Sequence, residues 1–172
     1  SGAEGMSLLF VTRGGQPLGW IGLEDRTRPE AARSIDDLRD LGLRQLVMVT
    51  GDRWSVARRV ASEMHCTDVK AEVLPAQKLE LVEDLKARGH TVCVIGDGVN
   101  DAPALAAGHV SIAMGAAGSE VAIHSASIAL MNNNLNRVPF LMHLSRDLYR
   151  VVKQNLIFGA AFIVVFGTLG AL

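Results

Sequence analysis

Cysteine is scarce in this 172-residue chain. Cys66 and Cys93 stand far apart with no Cys-x-x-Cys spacing, which fits a reducing compartment and gives no reason to infer a disulfide. An excess of either charge is also missing. Seventeen Lys and Arg face 18 Asp and Glu for a formal net charge of −1, so no nucleic-acid surface and no docking face for an acidic partner is expected. No signal peptide, tandem repeat or low-complexity linker is read. The remainder is 49% apolar and 20% charged, a globular composition long enough for one packed domain with residues to spare for an appendage.

The apolar residues are spread unevenly. Leu156 to Leu172, "LIFGAAFIVVFGTLGAL", holds no charge and one polar side chain, Thr168. It falls slightly short of the about 20 residues a bilayer core needs, yet it is apolar all round, as a one-sided surface helix is not. A membrane span is expected there, with a core helix as the alternative. Arg146, Arg150 and Lys153 just before it suit a cytoplasmic boundary.

Upstream, "MSLLFVT" and "PLGWIGL", parted by "RGGQ", predict a hairpin. Thr27 with Glu30 three positions on predicts a capping box for a helix that has Pro29 in its first turn and closes at Gly42. Short apolar runs then alternate with helices about every 20 residues. The expected strands are "RQLVMV", "VKAEV", "TVCVIG", "VSIAM" and "SIALM", and the helices start at Trp54, Gln77, Ala102 and Ser119. This is the pattern of an α/β fold whose parallel sheet is covered by helices on both faces.

In such sheets ligands sit outside the carboxyl ends of strands. "VMVTGD" ends in Thr50, Gly51 and Asp52, a hydroxyl and backbone amides suited to a phosphoryl group. "VIGDGVNDAPAL" ends a buried run with Asp97, Asn100 and Asp101, hard oxygen donors close enough to share one Mg²⁺. Between them, "PAQK" places Lys78 one turn into a helix, able to aim a point charge at the same spot. Each signal alone has an ordinary explanation as a turn, a cap or a surface lysine. Two carboxylates at the end of a buried strand are the exception, because they are costly without a cation.

Taken in order, "TGD", "P-x-x-K" and "GDGVNDAPAL" resemble the phosphorylation domain of P-type ATPases of the haloacid dehalogenase superfamily. "GLEDRTRPEA", with Asp25, Arg28 and Pro29, resembles the hinge into that domain, and "AMGAAGSEVAIHSASIALMNNNLNRVP" resembles the heavy-metal-transporting subgroup. The resemblance implies a Rossmann-like haloacid dehalogenase-type sheet plus a C-terminal apolar helix. It divides the chain into residues 1–24 as the last hairpin of a nucleotide-binding domain, 25–138 as the phosphorylation domain, and 139–172 as a stalk and the start of a transmembrane helix.

By the same resemblance, Asp97 and Asp101 hold Mg²⁺, and Thr50, Gly51, Asp52, Lys78, Asn100 and Asp101 form the catalytic set. Asp25 and Arg28 lie on the nucleotide side, and ATP is the phosphoryl donor. The phosphorylated aspartate of the family's "DKTGT" motif is missing from this chain. The implied function is that of a C-terminal fragment of an ATP-driven heavy-metal pump, inactive alone. It would work with the rest of that pump and a transition-metal ion, be anchored in membrane lipid through residues 156–172, and keep its phosphorylation domain on the cytoplasmic side. Residues 135–146 and the apolar tail resemble the zinc, cadmium and cobalt pumps. Ile163, where zinc and cadmium pumps usually carry a lysine, inclines the reading towards the cobalt or iron type.

Two other classes stand beside the pump. One is a stand-alone phosphatase using Asp25 with Thr27; the other is a non-catalytic phosphate-binding module acting in trans. Asn155 is read either as a side chain facing a transport path or as an interfacial helix-end polar group. His65 and Cys66, adjacent on a helix end and pointing apart, are read as scaffold, as are Met48, Met64, Met114 and Met131.

Overall fold

The computed structural model describes residues 7–23, 27–96, 99–115 and 120–170. The fold is α/β. It opens with an antiparallel hairpin, β1 (Ser7–Arg13) and β2 (Gln16–Leu23), in which Phe10 faces Trp20 and Leu9 faces Ile21. Each of these four side chains is more than half exposed. None of its described residues belongs to either core cluster.

Helix α1 (Pro29–Asp40) follows, and Ala31, Ile35 and Leu38, spaced four and three residues apart, put one face into the core. The predicted capping box does not form. Arg28 is the N-cap residue, and the Thr27 hydroxyl instead donates to Glu63 Oε2 on the next helix, at 2.7 Å. A partner distant in sequence has outcompeted the local one.

The strands are shorter than the apolar runs. β3 (Val47–Val49) pairs in parallel with β4 (Asp68–Lys70), and α2 (Trp54–Glu63) crosses between them. α3 (Pro75–Ala87) leads to a second parallel sheet, ordered β5 (Cys93–Gly96), β6 (Val110–Ala113) and β7 (Ile128–Ala129). Short helices α4 (Ala102–Ala107) and α5 (Glu120–Ser125) make its crossovers. The expected single sheet therefore falls into a pair and a triplet, with no strand pairing between β3 and β5 among the described residues. Only β6 is largely buried; β5 leaves Cys93 and Ile95 exposed on one face.

One apolar cluster unites the two halves. Ile35, Leu38 and Leu46 pack with Ile112 and Val138, and a smaller cluster forms around Leu105 and Ala113. Val138 belongs to α6 (Arg137–Leu169), a single helix that starts well before the apolar tail. It is long and apolar enough to cross a membrane, and its most apolar window is wholly unburied.

Candidate functional site

The end of β3 turns on its own side chains. Thr50 Oγ1 donates to Asp52 Oδ2 at 2.7 Å and accepts from the Asp52 amide at 3.1 Å, a local closure typical of hydroxyl-stabilised turns. The backbone ties this turn to the strand beside it: the Thr50 amide donates to the Lys70 carbonyl, and the Val73 amide donates to the Thr50 carbonyl at 3.1 Å. Gly51, exposed between the two, leaves the turn open to solvent.

Two residues after Val73, Pro75 opens α3, and the Gln77 side chain accepts from the Leu74 amide at 2.8 Å. That bond fixes the first turn. Lys78, at the fourth helical position, reaches Asp101 Oδ1 with its Nζ at 2.7 Å. Both side chains are less than a fifth exposed, so this pair is screened far less than a surface ion pair. A continuous chain of bonds thus runs from Thr50 through Val73 and the start of α3 to Asp101. Loss of Lys78 would leave the Asp101 carboxylate uncompensated.

Asp101 closes a 3₁₀ turn (Val99–Asp101) between β5 and α4 and folds back over the end of β5. A Cβ built on Gly96 would stand 2.8 Å from Asp101 Cβ and 2.9 Å from Oδ2, closer than atoms tolerate. The glycine before Asp97 is therefore required by the carboxylate packed on it. Asn100 is exposed in the same turn. Asp97 and Asp25, the other two expected carboxylates, lie outside the described residues. The Asp101 carboxylate, with Oδ1 held by Lys78, keeps Oδ2 as the oxygen a hard cation such as Mg²⁺ would take at this turn.

Arg28 takes a different direction. Its guanidinium donates to the Asn133 carbonyl, on the loop after β7. The Asn133 side chain presses on Gly115, at the end of β6, where φ is +64° and any Cβ would overlap it. Asn133 was not singled out from the sequence, since its contact with Arg28 spans 105 residues and no local motif announces it. His65 is a scaffold residue: it ends α2 with φ of +58° and points Nδ1 at Asp36 Oδ2, 2.8 Å away. Among the described residues no three His, Cys, Asp or Glu side chains gather as metal ligands.

The family model described as "haloacid dehalogenase-like hydrolase" matches residues 3–109, from the hairpin through the Asp101 turn to the end of α4. The chain belongs to the haloacid dehalogenase-like hydrolases. Within them it is similar to heavy-metal P-type ATPases. It is 45% identical over 147 residues to a zinc-exporting P-type ATPase of Mycobacterium marinum, covering 86% of this chain and 20% of the relative. It is 45% identical over 148 residues to a manganese-exporting P-type ATPase of Mycobacterium leprae, with the same coverage. A solved crystal structure of a zinc-transporting PIB-type ATPase superposes with a TM-score of 0.75 at 35% identity, covering 90% of this chain and 25% of that one. This haloacid dehalogenase-like chain thus spans about a fifth to a quarter of the length of the proteins it matches.

Proposed function

We propose that the chain is the Mg²⁺- and phosphoryl-binding part of the phosphorylation domain of an ATP-driven heavy-metal cation pump. The observation that carries this reading is the Lys78–Asp101 pair, held at low exposure and bonded through the start of α3 to the Thr50 turn. Phosphoryl transfer needs positioning and charge neutralisation more than covalent help, and these groups supply both. Asp97 and Asp101 would hold Mg²⁺, which neutralises charge developing on the transferring phosphoryl group. The Thr50 hydroxyl, turned from Asp52 Oδ2, and the Gly51 amide would hold phosphoryl oxygens, Asp52 would steady the turn through its amide, Lys78 would balance their charge, and Asn100 would orient them. Asp25 and Arg28 would form the hinge towards bound ATP.

The divided sheet fits the same reading. β3 and β5 each carry one strand neighbour, leaving the other edge of each unpaired among the described residues. An Asp-Lys-Thr-Gly-Thr strand laid between β3 and β5 would join the sheets and bring its aspartate to the Thr50 and Asp101 ends. Residues 1–24 would then close the nucleotide-binding domain, 25–138 the phosphorylation domain, and 139–172 would form stalk and span. Since α6 begins at Arg137, the last boundary falls inside a continuous helix. The rest of the pump is the partner, lipid would surround residues 156–172, and the phosphorylation domain would face the cytoplasm. Of the metals expected, the zinc and cadmium type is favoured over cobalt or iron by the zinc-exporting relative and the zinc-transporting structure.

The test is acid-stable phosphoenzyme formed from labelled ATP. A chain extended upstream through an Asp-Lys-Thr-Gly-Thr segment should label, whereas Lys78→Ala, Asp97→Asn and Asp101→Asn should each label about 10²-fold more slowly. Labelling that survives all three changes would remove these roles. Hydrolysis of a simple phosphate ester by the 172-residue chain, abolished in Asp25→Asn, would favour the stand-alone phosphatase instead.

A further inference from the structure

Helix α6 leaves the domain in three stages. Val138 and Pro139 are buried in the core. Arg146 makes a further attachment, its guanidinium donating to the Leu41 carbonyl at the end of α1. Beyond it Tyr149 is 71% exposed, Arg150 69%, and Lys153 is exposed before the apolar run begins at Leu156.

Helical geometry separates these cations by height. At about 1.5 Å per residue, Lys153 stands roughly 4.5 Å and Arg150 roughly 9 Å above Leu156, while Arg146 stands roughly 15 Å above it. The polar layer on each side of a bilayer's hydrocarbon core is about 5–8 Å deep. Lys153 therefore falls within that layer and Arg150 at its outer edge, within reach of its long side chain; Arg146 is beyond it and already bonded to the domain. At about 100° per residue, Arg146, Tyr149, Arg150 and Lys153 also share one face roughly 100° wide. With Ser145 they form an open polar stretch of that face. The acidic side chain facing this group from the helix is Asp147, whose ion pair with Arg150 at 2.9 Å is exposed on both sides and so weak that a phosphate can displace it. Tyr149 adds the amphipathic ring that favours the membrane interface.

We infer that Arg150 and Lys153, with Tyr149, form a binding collar for anionic phospholipid headgroups where α6 enters the bilayer. The inference rests on the membrane-span reading of residues 156–172 and adds the lipid class and the residues that select it. The bilayer phosphodiester is the ligand, and free phosphate lacks the apolar anchorage that continues below Lys153 along Ile157 and Val164.

The full chain should be reconstituted in phosphatidylcholine bilayers by detergent removal. Trace spin-labelled phosphatidylglycerol and spin-labelled phosphatidylcholine would then be compared for the fraction held immobile at the protein. Each cation near the headgroups is worth up to about five-fold in preference for the anionic lipid at low ionic strength. The double variant Arg150→Gln/Lys153→Gln should bring the preference close to unity, and so should high salt. Arg146→Gln should change it by less than about two-fold, because that cation lies above the headgroups. Equal immobilisation of both lipids by wild type, an unchanged preference in the double variant, or an equal loss in Arg146→Gln would each overturn the collar while leaving the span intact. A chain that fails to float with the bilayers at all would instead overturn the span, and the collar with it.

Discussion

Lys78 Nζ meets Asp101 Oδ1 at 2.7 Å across 23 residues of sequence, joining the first turn of α3 to the turn after β5. Neither side chain is fully dry, at 19% and 18% exposure, so the pair sits between a surface bridge worth well under 1 kcal/mol and a buried one costing about 3–5 kcal/mol to break. Lys78→Met should therefore destabilise the chain by about 2 kcal/mol in urea denaturation. Adding Asp101→Asn should recover part of the loss, since the stranded carboxylate is then gone. Equal costs for the single and double variants would refute the coupling.

Gly96→Ala tests the packing of the same carboxylate. The new methyl would have to push Asp101 away from the end of β5, because its position is 2.8 Å from Asp101 Cβ. Overpacking of this kind costs about 1–3 kcal/mol. Titration with Mn²⁺ as a paramagnetic probe should broaden Asn100 and Asp101 amide signals in wild type at concentrations that leave the variant unaffected. Identical broadening in both would detach the cation site from this geometry.

Cys66 sets a pH dependence. Burial pushes its thiol above the ordinary value of 9.0, with the Arg39 guanidinium pulling weakly the other way. The folded state thus favours the neutral thiol, and the associated stability is fully present below pH 9.0 and lost as pH rises through the raised folded value. Melting temperature should fall more steeply above pH 9.0 in wild type than in Cys66→Ala. Parallel curves for the two proteins would exclude the thiol as the cause.

Removing residues 151–172 should improve solubility and change unfolding free energy by less than about 1 kcal/mol. The reason is that Val138, Pro139 and the Arg146–Leu41 bond all remain, while the deleted apolar side chains are exposed. Light scattering and thermal denaturation would check this, and a drop of several degrees would mean that the tail packs on the domain.

The candidate site was legible in the sequence to the extent that its bonds are local. The Thr50 turn, the α3 start near Pro75 and the α4 span at Ala102–Ala107 follow from residue types within a few positions of one another. Lys78 was legible because a helix fixes the direction of its fourth residue. Contacts set by tertiary folding were not. Thr27 has a good cap sequence, but Glu63 takes its hydroxyl. Arg28 with Asn133, and Ser34 with Asn136 at 2.6 Å, join segments more than 100 residues apart. The break between β3 and β5 was also invisible, since apolar runs mark strands without saying which edges meet.

The uninterrupted course of α6 gives the molecule a lever. Beyond the bond from Arg146 to the Leu41 carbonyl, residues 147–169 extend about 35 Å, with the fulcrum at that second attachment. A tilt of about 10° there would sweep the far end through roughly 6 Å, so a small rearrangement of α1 is magnified at Phe166. How faithfully it is transmitted depends on Gly159 and Gly167, whose surroundings are both open and whose missing side chains each loosen the shaft.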